Sequence, residues 1–183
     1  MRIVVAVSGA SGALYAHTLL KALKGHDVSL ILSEDAKTVI REETDLTAKD
    51  FEKLARRSFG NADMAAPTSS GSNRFEAMVI VPCSGTTLSK IACGIADNLT
   101  SRTAAVCIKE RRKLILVPRE TPLSPILLEN MLRLSKLGVV ILPASPGFYA
   151  RPESASDLVD FIAARIMDQL GLKQKLFKGW KAD

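Results

Sequence analysis

Five runs of mainly apolar residues recur along the chain: Ile3–Val7, Val28–Leu32, Met78–Val81, Leu114–Val117 and Val139–Leu142. Each lacks the strict polar alternation of a half-exposed strand, so each reads as a strand buried on both faces. Between them lie stretches with helical spacing, and this alternation predicts a parallel, doubly wound sheet with helices on both sides. The helix signals are local. Ser124 caps a helix that Pro125 opens, the apolar spacing runs from Ile126 to Leu137, and Gly138 closes it. Ser156 is expected to cap a last helix that Gly171 stops. Ser58 to Arg74 reads as one long irregular loop, a length usually reserved for function or an interface.

With 183 residues and 47% hydrophobic content, the chain is long enough for one substantial core, so one domain is expected over residues 1–183, with a short C-terminal tail at 172–183. Aromatics make up only 5%, which leaves the interior to aliphatic side chains. The three cysteines, Cys83, Cys93 and Cys107, form no CxxC pair and sit near no histidine cluster. A disulfide framework and a zinc site are thus not expected, and a reducing, cytoplasmic setting is. No apolar run approaches the length of a membrane span, so no membrane partner is expected. The net charge of +6 comes from scattered basic residues, densest at Lys109–Lys113. Such scatter predicts a solvated face with some cations meeting small anions, not a nucleic-acid partner.

The turns that leave the strands are more telling. Ser8, Gly9, Ala10 and Ser11 come after the first; Ser33 after the second; Pro82 through Thr87 after the third; Pro118, Arg119 and Glu120 after the fourth; Pro143 to Pro146 after the fifth. Any one of these is an ordinary turn composition. In a doubly wound sheet, however, all five lie on the carboxyl edge, where ligands bind. Gly9 to Gly12 and Ser84 to Thr87 each precede a helix, whose free amides and positive dipole end suit a phosphate. The first turn has neither the GK[ST] of a P-loop nor GxGxxG spacing, although Glu34 and Asp35 stand where a dinucleotide fold puts its ribose acid.

In order, the segments SGASGA, EETD, SSGS, VIVPCS, DNLTSRTA, KERRKLILVPRETPLS and GFYARP resemble the UbiX-type flavin prenyltransferases over nearly the whole chain. The resemblance implies a Rossmann-like or flavodoxin-like fold assembled as a homododecamer. It also implies transfer of a dimethylallyl group from dimethylallyl phosphate to reduced FMN, giving prenylated FMN for a UbiD-type decarboxylase. Carried over by position, Gly9, Ala10, Ser11, Ser33, Ser84, Gly85, Thr86, Thr87 and Arg119 would contact FMN. Tyr149, Arg165, Lys109 and Arg102 would hold the prenyl phosphate, with Glu120, Ser11, Lys109 and Glu43 as catalytic residues. Ala150 stands where family members often have histidine, Met64 where some have tryptophan, and Trp180 is set against a C-terminal tryptophan that closes over the site in some relatives.

The residue types suit that chemistry. Breaking the allyl C–O bond puts positive charge on the five-carbon unit and negative charge on the departing phosphate, which fixed cations and neutral donors must hold. No metal is needed in this reading. Two alternatives stand beside it: an FMN-dependent cysteine decarboxylase, whose family carries a PASANT-like turn where this chain has PCSGTT, and a non-catalytic FMN carrier. Taken singly, Arg165 reads as a helix-flank arginine lying along apolar surface, Tyr149 as a packed loop aromatic, His17 and His26 as structural, and Cys83 as a small buried residue.

Overall fold

The computed structural model describes residues 1–149, 151–177 and 179. Six strands form one sheet: β1 (Arg2–Val7), β2 (Asp27–Leu32), β3 (Arg57–Gly60), β4 (Ala77–Cys83), β5 (Lys113–Pro118) and β6 (Val140–Ile141). The order is β3-β2-β1-β4-β5-β6 and every pairing is parallel. Chain direction across the sheet reverses between β1 and β4, the switch point at which such sheets open a crevice.

Helices cover both faces. On one side lie α1 (Ala13–Ala22), α2 (Glu34–Glu43), α3 (Ala48–Glu52) and α7 (Ala155–Leu170); on the other lie α4 (Gly85–Ala92), α5 (Leu99–Lys109) and α6 (Pro125–Lys136). The period of two in β1 divides the core. Ile3, Val5 and Val7 pack with Leu19, Leu23 and Ile166, whereas Val4 and Ala6 pack with Leu88, Leu99 and Leu116. Both faces are buried, which is why β1 shows no polar interruption. Among the described residues, no helix is long and apolar enough to cross a membrane.

Two expectations are corrected. The segment from Ser58 is not wholly irregular, because Arg57–Gly60 is the edge strand β3 and Pro67–Ser69 is a 3₁₀ turn. β3 lies mostly exposed and carries one aromatic, so it lacks the apolar run that marks the other strands. Ser156 does not cap α7. Ser154 does, accepting from the Asp157 amide while the Asp157 carboxylate accepts from the Ser154 amide, a reciprocal capping box that leaves Ser156 inside the first turn. The expected stops hold, with Gly138 and Gly171 in the left-handed region.

At the end of α5 that left-handed position is filled by Arg111, with φ 53°. The Arg112 amide closes the turn on the Cys107 carbonyl at 2.8 Å. Left-handed backbone costs an L-residue about 1–2 kcal/mol, and glycine returns part of that gain as unfolded-state entropy. Arg111→Gly is therefore expected to stabilise the protein by about 0.5–1 kcal/mol, read as a rise in melting temperature of about 1–4 °C at fixed protein concentration. An unchanged or lower melting temperature would contradict this account of the turn.

Candidate flavin site at the sheet's switch point

Ser8 ties the two central turns together. Its hydroxyl donates to the Pro82 carbonyl at 2.8 Å and accepts from the Ser84 amide at 2.8 Å, and the residue is buried. The turn after β1 and the turn after β4 are thus one unit. Ser8→Ala would leave the Ser84 amide without its partner while the Pro82 carbonyl keeps its bond from the Ser8 amide at 3.3 Å, a loss of about 1–2 kcal/mol. The expected result is a fall in melting temperature of about 2–8 °C together with weaker flavin binding.

The turn after β1 is glycine-rich for steric reasons. A Cβ on Gly9 would fall 2.4 Å from the Asp35 Cβ, and Gly12, at φ 111°, carries the Tyr15 ring against it. Gly12 offers no side chain to cap α1. Glu43 caps it from α2 instead, its carboxylate accepting from the Gly12 amide at 2.8 Å and the Ala13 amide at 3.2 Å and bonding the Ser11 side chain. Asp35 in the first turn of α2 meets Gly9 and Glu43 in its last turn meets Gly12, so α2 lies across this turn. Burial alone would raise the Glu43 carboxyl, but its hydrogen bonds and the Arg119 charge together hold it below its ordinary value. Burial raises the Tyr15 phenol, against a lowering pull from the same Arg119. Arg119, just past β5, therefore stands within electrostatic reach of both.

The turn after β4 differs because two of its amides, those of Gly85 and Thr86, stay available to a ligand. Ser84 caps α4 by accepting from the Thr87 amide at 3.2 Å, and its hydroxyl donates to the Thr87 hydroxyl at 2.9 Å. Gly85 and Thr86 open the helix, so their amides have no intrahelical acceptor and point with the positive dipole end out of the sheet. A Cβ on Gly85 would meet nothing nearer than 3.8 Å, so the space over this turn is open. Ser33 caps α2 through its hydroxyl, which accepts from the Ala36 amide at 3.0 Å. Ala10 is buried and Ser11 exposed. Glu120, its carboxylate accepting from the Thr121 amide, walls a cleft of about 540 Å³ together with Gly85, Thr86, Lys90 and Ile126.

The expected phosphate contacts are spread over the chain. Lys109 ends α5 at the amino edge, shortly before Lys113 opens β5, and pairs with Glu110 at 2.6 Å. Arg102, in the first turn of α5, donates from Nε to the Ser69 carbonyl at 3.0 Å. Tyr149 stacks edge-on against Phe161 and Phe177, and Arg165, one turn beyond Phe161, pairs with Asp168 at 2.7 Å beside β6. One chain thus gathers Gly9, Ser11, Ser33, Glu43, Ser84 to Thr87, Arg119 and Glu120 at its carboxyl edge; Arg102 opens α5 beside Asn61, just past the carboxyl end of β3, while Lys109 ends α5 at the amino edge and Tyr149 and Arg165 lie with α7 on the opposite helical face. Met64 is exposed on the segment after β3, and Ala150 and Trp180 lie outside the described residues. His17 packs on Phe51 with ring centres 5.2 Å apart. Cys83 is fully buried, its thiol pushed up to about 12 by that burial, which leaves no reactive thiolate.

Sequence reasoning did not name Tyr15; it placed Ser8 in the turn after β1 and Asp35 at the position of a ribose acid, but gave neither the contact it makes in the structure. Ser8 was readable as the first polar residue after the β1 run, whereas the Tyr15 and Asp35 contacts arise only once α1 and α2 are folded against the turn.

Residues 1–167 match the family model described as Flavoprotein. A flavin prenyltransferase UbiX of Thermoplasma acidophilum is 54% identical over 180 residues, covering 98% of this chain and all of that protein. A dodecameric FMN-dependent UbiX-like decarboxylase from Escherichia coli O157:H7 superposes with TM-score 0.97 at 45% identity over the full length of both chains. The structure of AnUbiX (PadA1) in complex with FMN and dimethylallyl pyrophosphate superposes with TM-score 0.97 at 44% identity, over 99% of this chain and 97% of that one.

Proposed function

The chain belongs to the flavoprotein family and to its flavin prenyltransferase members, and from that premise we propose that it transfers a dimethylallyl group from dimethylallyl phosphate to reduced FMN. The observation that carries this reading is the single unit made at the switch point. Ser8 joins the open helix N-terminus of α4 to a turn bearing Ser11, Glu43 and Arg119.

The residues fit an FMN. The Gly85 and Thr86 amides with the Ser84 and Thr87 hydroxyls suit its phosphate, and the open space over Gly85 admits it. The amides at the start of α1 are held by Glu43, so the turn after β1 borders the flavin ring or ribityl chain and not the phosphate. Arg119 contributes a fixed positive charge beside it. Reduced FMN supplies an electron-rich ring that receives the allyl group. The chain's own part is to hold the donor phosphate, to move a proton through the Ser11–Glu43 pair, and to keep water from the allyl carbon. The C–O bond breaks, its electron pair leaves with inorganic phosphate, and the carbon bonds to the flavin.

Within this proposal Lys109, Arg102, Tyr149 and Arg165 hold the donor phosphate, and they do so across subunits of a homododecamer. Support comes from the placement of Lys109 on α5 and of Tyr149 and Arg165 with α7, on opposite faces of one chain's sheet, and from the dodecameric relative. Release of prenylated FMN to a UbiD-type decarboxylase in the cytoplasm belongs to the same proposal and rests on the sequence resemblance. The test is anaerobic incubation with reduced FMN and dimethylallyl phosphate, followed by mass spectrometry. A flavin carrying one five-carbon addition is expected, and bound but unmodified flavin would overturn the reading.

A further inference from the structure

At the amino edge of the sheet, opposite the flavin loops, a partly open cavity of about 110 Å³ lies between the starts of the β1, β2 and β3 strands and residues 67–75. Arg2, Arg57 and Arg74 line it, together with Ser29 and Asn73. Two carboxylates stand at this edge. Asp27 lines the cavity and is held by Arg56 at 3.1 Å and Arg57 at 4.0 Å, and Glu76 accepts from the Arg2 amide. Four arginines therefore face two carboxylates. Among the described residues, the side chains of Arg2 and Arg74 form no ion pair.

Three arginines line one small space whose lining carboxylate is Asp27, and the planar fork of a guanidinium matches the oxygens of a tetrahedral oxyanion. We propose that this cavity is a binding site for a small oxyanion, inorganic phosphate, held by Arg2, Arg57 and Arg74. Its volume is well below the ~300 Å³ at which drug-sized ligand pockets begin, which rules out a nucleotide. Bound there, phosphate bridges β1, β3 and the segment before β4. The site lies on a single chain and does not depend on the proposed reaction.

The test fills the carboxyl edge first. Protein saturated with oxidised FMN and dimethylallyl phosphate is titrated with inorganic phosphate at constant ionic strength. One saturable phosphate per chain is expected, displaced by sulfate and not by chloride. Arg74→Ala and Arg57→Ala are each expected to weaken it about tenfold or more while leaving FMN affinity unchanged. Arg74→Lys keeps the charge but loses the fork, and it reports the same loss if the alanine variants do not fold. Absence of saturable phosphate binding in the wild type, or wild-type affinity in the folded variants, would overturn the proposal. Failure of the prenyl-transfer reading would instead leave the carboxyl edge open to phosphate, and that class of binding does not respond to Arg74.

Discussion

Lys109→Ala is expected to lower prenyl transfer by about 10²–10³-fold, the usual loss when one preorganised charge is removed from a developing anion. The same loss is expected for Arg119→Ala. Mixing the two variants is more informative than either alone. Lys109 precedes β5 and Arg119 comes after it, so the six-residue strand Lys113–Pro118 holds them about 20 Å apart at opposite edges of the sheet. No lysine stem spans that distance. If both act at one reaction centre, they come from different copies, and co-assembled Lys109→Ala and Arg119→Ala chains form some centres with both residues intact. The mixture is then expected to recover a sizeable fraction of wild-type turnover, while each variant alone does not. Steady-state rates of prenylated flavin formation would decide the matter. No recovery in mixed assemblies would sink the shared centre, and a Lys109→Ala rate within about twofold of wild type would remove the lysine from the chemistry.

The strands that could be read from sequence are those buried on both faces. β1 and β4 show unbroken apolar runs because neither face meets water, whereas β3 lies at the sheet edge with only Phe59 half-buried and gives no such run. The start of α7 was legible in principle. Ser154 stands three residues before Asp157, the spacing of a capping box, but Ser156 beside Asp157 is the more conspicuous serine. At the site, the turns themselves were legible because serine, glycine and proline gather after strands. The bonds that join them were not. The Ser8 bonds to Pro82 and Ser84 span more than 70 residues, and the Glu43 bonds to Gly12 and Ala13 span 30, distances at which spacing carries no signal. Glu43 entered through family resemblance alone. Nor does closeness in sequence imply closeness in space. Lys109 and Arg119 are ten positions apart, yet a whole strand lies between them.

Glu43→Gln is expected to leave FMN affinity nearly unchanged while lowering turnover by about 10²-fold or more, the size of a general acid–base contribution. Glu43 is the last residue of α2, where the carbonyl end of its own helix disfavours a carboxylate. Its position is explained by the neighbouring α1, whose positive end donates the Gly12 and Ala13 amides to it. A glutamine oxygen can still accept those two bonds, so the turn keeps its shape. The variant loses the negative charge that takes the Ser11 proton in the proposed reaction, and an effect on turnover with intact flavin binding would separate that role from simple capping. The sign of the pH effect provides a second check. Burial raises the Glu43 carboxyl, but the Ser11, Gly12 and Ala13 bonds and the Arg119 charge outweigh it, so the folded value lies below the unfolded one. The carboxylate's stabilising contribution is therefore full above the unfolded value and is lost as pH falls through the lower, folded value. Thermal melts of wild type and Glu43→Gln should differ at neutral pH and converge in strong acid. A stability gap that widens as pH falls would overturn the lowered carboxyl, and a glutamine variant that turns over at the wild-type rate would mean that Glu43 serves the fold and not the proton.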